Sequence, residues 1–229
     1  MKNPIVLVLL LMITLRSYSQ TEDTGWIFLS HAQKLSDKFD LRADLQARSS
    51  HKLDYLSALL LRSALSYNLT EKNSVAIGYA FFGQWDEKDG EKLYSPEHRI
   101  YQQYLYSFKA GKNELNVRFR LEQRFVREED DINFSQRARA FLSSQIPISA
   151  NSDFTKGMYA GLQNEIFLTI QNKEKVNGSI FDQNRSFASV GYRWSKKIDT
   201  EFGYMYWIQK EKDMSVRRNV WQLMITTNL

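Results

Sequence analysis

The sequence predicts an all-β chain, a single antiparallel transmembrane barrel of about ten strands with a polar-filled lumen. Three observations carry that expectation. First, Glu114 to Phe125 alternates along its whole length: Leu115, Val117, Phe119, Leu121 and Phe125 share one parity, and Glu114, Asn116, Arg118, Arg120, Glu122 and Arg124 share the other. Side chains alternate faces along a strand, so this segment is a strand with one apolar and one charged face. It runs twelve residues, where an average strand runs about five or six. Second, the same pattern recurs along the chain. Third, short and long connections between the repeats take turns.

The elements follow in order. Phe39 to Arg48 alternates Phe39, Leu41, Ala43, Leu45 and Ala47 against Asp40, Arg42, Asp44, Gln46 and Arg48. Leu53 to Leu69 carries Leu59, Leu61, Leu65, Tyr67 and Leu69 on one face. After the turn Thr70 to Asn73, Val75, Ile77, Tyr79 and Phe81 mark the next strand. Seven more follow at about Glu97–Phe108, Glu114–Val126, Phe134–Ile146, Lys156–Thr169, Phe181–Trp194, Thr200–Gln209 and Val216–Leu229. Thr70–Asn73, Lys109–Asn113 and Ser195–Asp199 are short connections; Gly83–Pro96, Arg127–Asn133 and Ile170–Ser179 are longer and polar. Outer-membrane barrels pair short periplasmic turns with long outer loops, which puts Leu229 in the periplasm. Pro147 is expected in the turn Pro147–Thr155 and Pro96 just ahead of a strand, where neither breaks a ladder. Trp26 to Ser30 also has strand character. A closed antiparallel barrel with both ends on one side needs an even count, so the expectation is ten strands with Trp26–Ser30 as an edge extension; twelve is the alternative.

The start of the chain reads as a leader. Lys2 precedes the apolar run Ile5 to Leu15, and Ser17-Tyr18-Ser19 supplies small residues for cleavage before Gln20. This has the form of a signal peptide over residues 1–19, with a barrel domain over 20–229. The run is too short for a spanning helix, which needs about 20 residues, and with no cysteine after it a lipid anchor is not expected. The chain contains no cysteine, which excludes disulfides and thiolate chemistry. Without Lys2 and Arg16 the charged residues number 29 basic against 26 acidic, too even a balance to suggest nucleic acid. The expected partners are outer-membrane lipid and the barrel-insertion machinery. The terminal stretch Trp221, Leu223, Ile225, Thr227, Leu229 resembles the signal that machinery reads, with Leu in place of the usual Phe.

A Lys or Arg facing lipid costs roughly 2–4 kcal/mol at the midplane, so the charged face belongs to the lumen. The expected lumen network is Glu97, Arg99, Gln103, Arg118, Arg120, Glu122, Arg124, Arg137, Arg139, Glu165, Gln183, Arg185, Arg193 and Glu201. Such ladders fill small barrels and hold them together. Tyr101, Tyr104, Tyr106, Phe108, Tyr192, Trp194, Phe202, Tyr204, Tyr206 and Trp221 are expected near strand ends or on the apolar face, as interfacial girdles.

Four stretches match a known pattern: Pro96-Glu97-His98-Arg99-Ile100-Tyr101-Gln102-Gln103, Arg118 to Phe125, Asn164-Glu165-Ile166-Phe167, and Phe181-Asp182-Gln183-Asn184-Arg185, the last followed by Gly203-Tyr204-Met205. From Trp26 onward the chain resembles the uncharacterised Gram-negative family catalogued as domain of unknown function 2490. The resemblance implies an outer-membrane β-barrel and assigns no activity and no catalytic residue. It also implies that Glu97, Arg99, Gln103, Arg120, Glu122, Arg124, Glu165, Gln183, Asn184 and Arg185 are signature polar residues. Asn184 falls on the outward parity, at a rim or where the register slips.

The sequence shows no phosphate loop, nucleophile elbow or dinucleotide motif. His31, His51 and His98 are scattered, with no spacing that suits a metal; neither a metal nor a cofactor is expected. His98 with Asp86, Asp89, Asp130 and Asp131 would suit a rim hydrolase acting on lipid or peptide, although solvated loop acids account for these residues more simply. A soluble periplasmic barrel or sandwich is the other alternative, against which strand length argues.

Overall fold

In a computed structural model, which describes residues 21–229 except 89, 129 and 130, the chain is a run of strands joined by turns. The expected leader and its junction at Gln20, and Asp89 and Asp130, lie outside the described residues. The strands are β1 (Thr21–Lys34), β2 (Phe39–Ser49), β3 (Leu56–Asn68), β4 (Asn73–Lys88), β5 (Glu91–Ala110), β6 (Asn113–Glu128), β7 (Asp131–Ala150), β8 (Gly157–Gln171), β9 (Phe181–Ser195), β10 (Ile198–Lys210) and β11 (Ser215–Asn228). Each pairs antiparallel with the next, and the sheet closes where β1 lies parallel to β11.

Among the described residues the strand count is therefore eleven, not ten or twelve. Trp26–Ser30 is not an edge extension but the middle of a full wall strand, with Trp26 opposite Gln222 and Leu29 opposite Ile225. An odd number forces one parallel pair. That pair still satisfies the backbone groups of both strands, so no open edge remains. It also puts the two described ends at opposite rims. The backbone amide of Lys34 donates to Leu229 at 2.8 Å, whereas Thr21 lies opposite Arg217 at the other, far rim.

Two segments expected as long loops are strands instead. β4 and β5 stay paired out to Lys88 and Glu91, and β6 and β7 out to Glu128 and Asp131. β3 pairs with β4 only as far as Gln84, so the β4–β5 hairpin stands clear of the wall. Its two faces are both wetted, which is why its sequence is polar. Pro147 lies inside β7, where the register shifts between Pro147 and Ser149; with no N–H to give, it suits a break in the ladder. Pro96 lies within β5, opposite Gly83. The two-residue turn between β5 and β6 uses Gly111 at φ 62, a conformation glycine adopts without a Cβ penalty.

Side chains line and partly fill the lumen. Trp26, Phe187, Met205, Trp207 and Val220 form one apolar cluster, and Leu60, Ala64, Ala76, Ala80 and Tyr101 another, backed by Phe82. Tyr101, expected with the outward aromatics, points inward and is 3% exposed. Small residues make room for it: a Cβ at Gly78 would collide with the Tyr101 ring. Gly191 plays the same part for Tyr159, which is fully buried. Near the C-terminal rim Phe154 folds in from the β7–β8 turn and meets Tyr159 edge-on at 5.6 Å. The outer wall is apolar, with Leu61, Ile77, Phe119, Leu142, Leu162, Val190, Phe202 and Trp221 all exposed. Aromatic pairs mark both ends of it: Phe39–Tyr67 and Tyr192–Trp194 near the C-terminal rim, Trp85–Tyr94 and Phe125–Phe134 near the far rim.

Candidate functional site

The middle of the lumen is a belt of arginines sharing too few carboxylates. Glu122 of β6 accepts from Arg137 Nη2 at 2.6 Å and Arg139 Nη1 at 2.5 Å, with Arg120 3.7 Å away. Glu165 of β8 accepts from Arg118 at 2.7 Å and Arg139 at 2.8 Å. Glu97 of β5 takes Arg99 at 2.7 Å and Arg124 at 2.6 Å. Asp182 of β9 takes Arg137 Nη1 at 2.7 Å. Four carboxylates thus serve six arginines, and each bridge but Glu97–Arg99 within β5 and Arg120–Glu122 within β6 joins different strands. Gln103 supplies a neutral acceptor to Arg120 at 2.7 Å. Planar guanidiniums also stack on rings: Arg139 lies 4.3 Å from the Phe167 centroid and Arg120 4.1 Å from that of Tyr101.

A second group closes the C-terminal rim. Arg193 donates to Asp199 at 3.0 Å, Glu114 at 3.0 Å, Gln145 at 2.8 Å and the Phe154 carbonyl at 2.8 Å. Glu201 accepts from Tyr159 at 2.9 Å and Ser189 at 2.8 Å. It has no arginine partner, so the expected single network is two groups at different heights. Gln183 joins the central belt by donating to Asp182 at 3.2 Å, whereas Arg185 forms no ion pair among the described residues. Of the residues expected there, Glu97, Arg99, Arg120, Glu122, Arg137, Arg139, Glu165, Gln183 and Glu201 are buried.

Asp182 escaped the sequence reading for a definable reason. Phe167 pairs with Gln183 but Leu168 pairs with Phe181, so Asp182 is the extra residue of a bulge. A bulge turns a neighbouring pair of side chains to one face; Asp182 and Gln183 are both buried, where strict alternation would separate them. The slip sits two residues before Asn184, which faces outward and exchanges hydrogen bonds with Asn164 at 3.2 and 3.3 Å. Arg48 and the pair Arg62–Asp44, joined at 2.7 Å, are further lumen members on the inward parity of β2 and β3.

The histidines do not build a catalytic group. His98 faces outward and bonds the Tyr79 hydroxyl at 2.6 Å; His31 bonds Thr227 at 2.8 Å on the far side of the barrel wall. Among the described residues no carboxylate contacts His98, and no cluster of three metal-competent side chains occurs.

One family, described as protein of unknown function (DUF2490), has a sequence model that matches residues 23–217. The chain belongs to that family. The match runs from β1 to the first residues of β11 and takes in both lumen groups, while the β11 side of the parallel closure lies beyond it. No curated protein and no solved structure matches. For this DUF2490 barrel the chemistry at hand in the lumen is charge pairing, anion recognition and aromatic stacking, since Glu97, Glu122, Glu165, Asp182 and Glu201 each accept from at least one donor.

Proposed function

We propose that this chain is an outer-membrane barrel that sits with its apolar wall in lipid and its lumen closed, a structural or tightly gated transport element and not an open pore. The carrying observation is the distribution of charge on the outer wall. Outward Asp, Glu, Lys and Arg occur near the far rim, at Asp23, Glu87, Lys92, Arg127, Lys210 and Arg217, and not across the middle of any strand. On β6 the uncharged outward positions run from Leu115 to Phe125. At about 3.3 Å per residue and a tilt of about 40° that band is about 25 Å tall, which suits the hydrocarbon layer of an outer membrane. Polar outward side chains inside the band satisfy one another: Gln102 and Gln123 exchange hydrogen bonds at 3.2 and 3.1 Å. An exposed apolar surface of this extent would favour aggregation in water. The burial of Tyr159 and Glu122, 0% and 1% exposed, supports a closed lumen.

Membrane fractionation tests the reading. The protein is expected in the outer-membrane fraction, migrating faster on gels before boiling than after it. Recovery as a soluble periplasmic protein without detergent would overturn the proposal.

A further inference from the structure

Three buried N–H donors without a partner line one lumen cavity, which Glu97 and Asp182, already taken by other arginines, and Gln183, whose Oε1 is also unpartnered, line as well. The cavity, about 170 Å³, lies toward the far rim and is walled there by Gln84, Ser95 and Gln209. Arg48 of β2 is 8% exposed, donates to Gln46 at 2.7 Å and leaves its Nε without a partner. Arg185 of β9 forms no hydrogen bond or ion pair among the described residues, and its Nε is buried. Trp207 of β10 leaves its indole N–H buried and unpaired. All three line the cavity.

Buried guanidiniums without a counter-charge are unfavourable. The neighbouring carboxylates are already shared by other arginines, so none remains for these two. Aromatic faces orient them instead. Both stack on Trp26, at 4.0 Å for Arg48 and 5.1 Å for Arg185, and Arg185 also lies 4.9 Å from Phe167 and 4.8 Å from Trp207. Rings hold the planes in place without neutralising the charge. An oxyanion does both, since guanidinium forks and an N–H donor match its oxygens.

We propose that this cavity binds a phosphate-type oxyanion, held by Arg48, Arg185 and the Trp207 indole N–H. Its volume is below the roughly 300–1,000 Å³ of pockets for drug-sized ligands, so the ligand is inorganic phosphate or a small phosphate monoester and not a lipid or peptide. The site is built from the lumen alone, so it stands whether lipid or water surrounds the barrel.

Calorimetric titration of the purified full-length protein with inorganic phosphate, at constant ionic strength set with chloride, tests the site. One phosphate per barrel is expected, with tryptophan fluorescence changing alongside. Arg185→Gln and Arg48→Gln should each weaken binding at least tenfold. Neither arginine has a carboxylate partner, so both variants should keep the wild-type unfolding midpoint, or exceed it, in phosphate-free buffer. Glycerol phosphate binding as tightly as phosphate would identify a monoester as ligand; phosphate alone binding would identify the free ion. No heat or fluorescence change with the wild type, or unchanged affinity in both variants, would overturn the proposal.

Discussion

Glu122 is 1% exposed and answers three arginines: it accepts from Arg137 and Arg139 and lies 3.7 Å from Arg120. Removing one partner of a buried ion pair leaves the others charged and unsolvated, at a cost of about 3–5 kcal/mol. Glu122→Gln should therefore lower the unfolding free energy of the detergent-folded protein by about 3 kcal/mol in a urea titration. Glu114→Gln gives the contrast. Its side chain is 26% exposed, and Arg193 keeps Asp199 when Glu114 is gone, so the loss should stay under about 1 kcal/mol. Equal losses would contradict the central role of Glu122. At this scale much was legible. Inward parity in the sequence places Arg99, Arg120, Arg137 and Arg139 inside because a two-residue period leaves no other choice. Asp182 was not legible, because a bulge breaks that period without any change of composition. Tyr101, Tyr159, Phe167 and Trp207 share the inward parity of the charged residues, yet their apolar character points to the other face. Only Gly78 opposite Tyr101 and Gly191 opposite Tyr159 reveal in the sequence that rings as well as ions enter the lumen.

β1 carries the largest difference between sequence and structure at the scale of elements. Its strand character at Trp26–Ser30 is legible; its partner is not, because nothing in a local pattern tells a parallel closing pair from an added edge. The even-number argument assumes both ends at one rim, and the parallel β1–β11 pair removes that assumption. The chain has no cysteine, so a pair of introduced thiols reports one contact cleanly. Leu29→Cys with Ile225→Cys, opposite one another across β1 and β11, should be joined by a short thiol cross-linker in the folded protein and change its mobility on a denaturing gel. Moving the second site to Val190→Cys on β9, which is not adjacent to β1, should abolish the product. Cross-linking of the β9 pair in preference to the β11 pair would contradict the closure. The hairpins β4–β5 and β6–β7 illustrate the other limit: strands that leave the wall lose their apolar face and read as loops.

Across the whole molecule one arrangement accounts for wall and lumen together. Alternation along every strand sends arginines and carboxylates inward, where most of them pair with one another while Arg48 and Arg185 do not, and leaves Leu, Ile, Val and aromatic side chains outward over a band without charge. Closure by a parallel pair removes every sheet edge, which lipid would not tolerate. Both lumen groups and the inserted, buried Phe154 occupy the interior. The decisive test is of what the outer wall touches. Nitroxide labels placed singly at Val117, Phe119, Leu121 and Arg127, with the protein in lipid bilayers, report collisions with dissolved oxygen, which concentrates in lipid, and with a water-soluble nickel chelate. Labels at 117, 119 and 121 should collide mainly with oxygen, and the label at the rim position 127 mainly with the chelate. Chelate collisions dominating at Phe119 would contradict a lipid-facing wall.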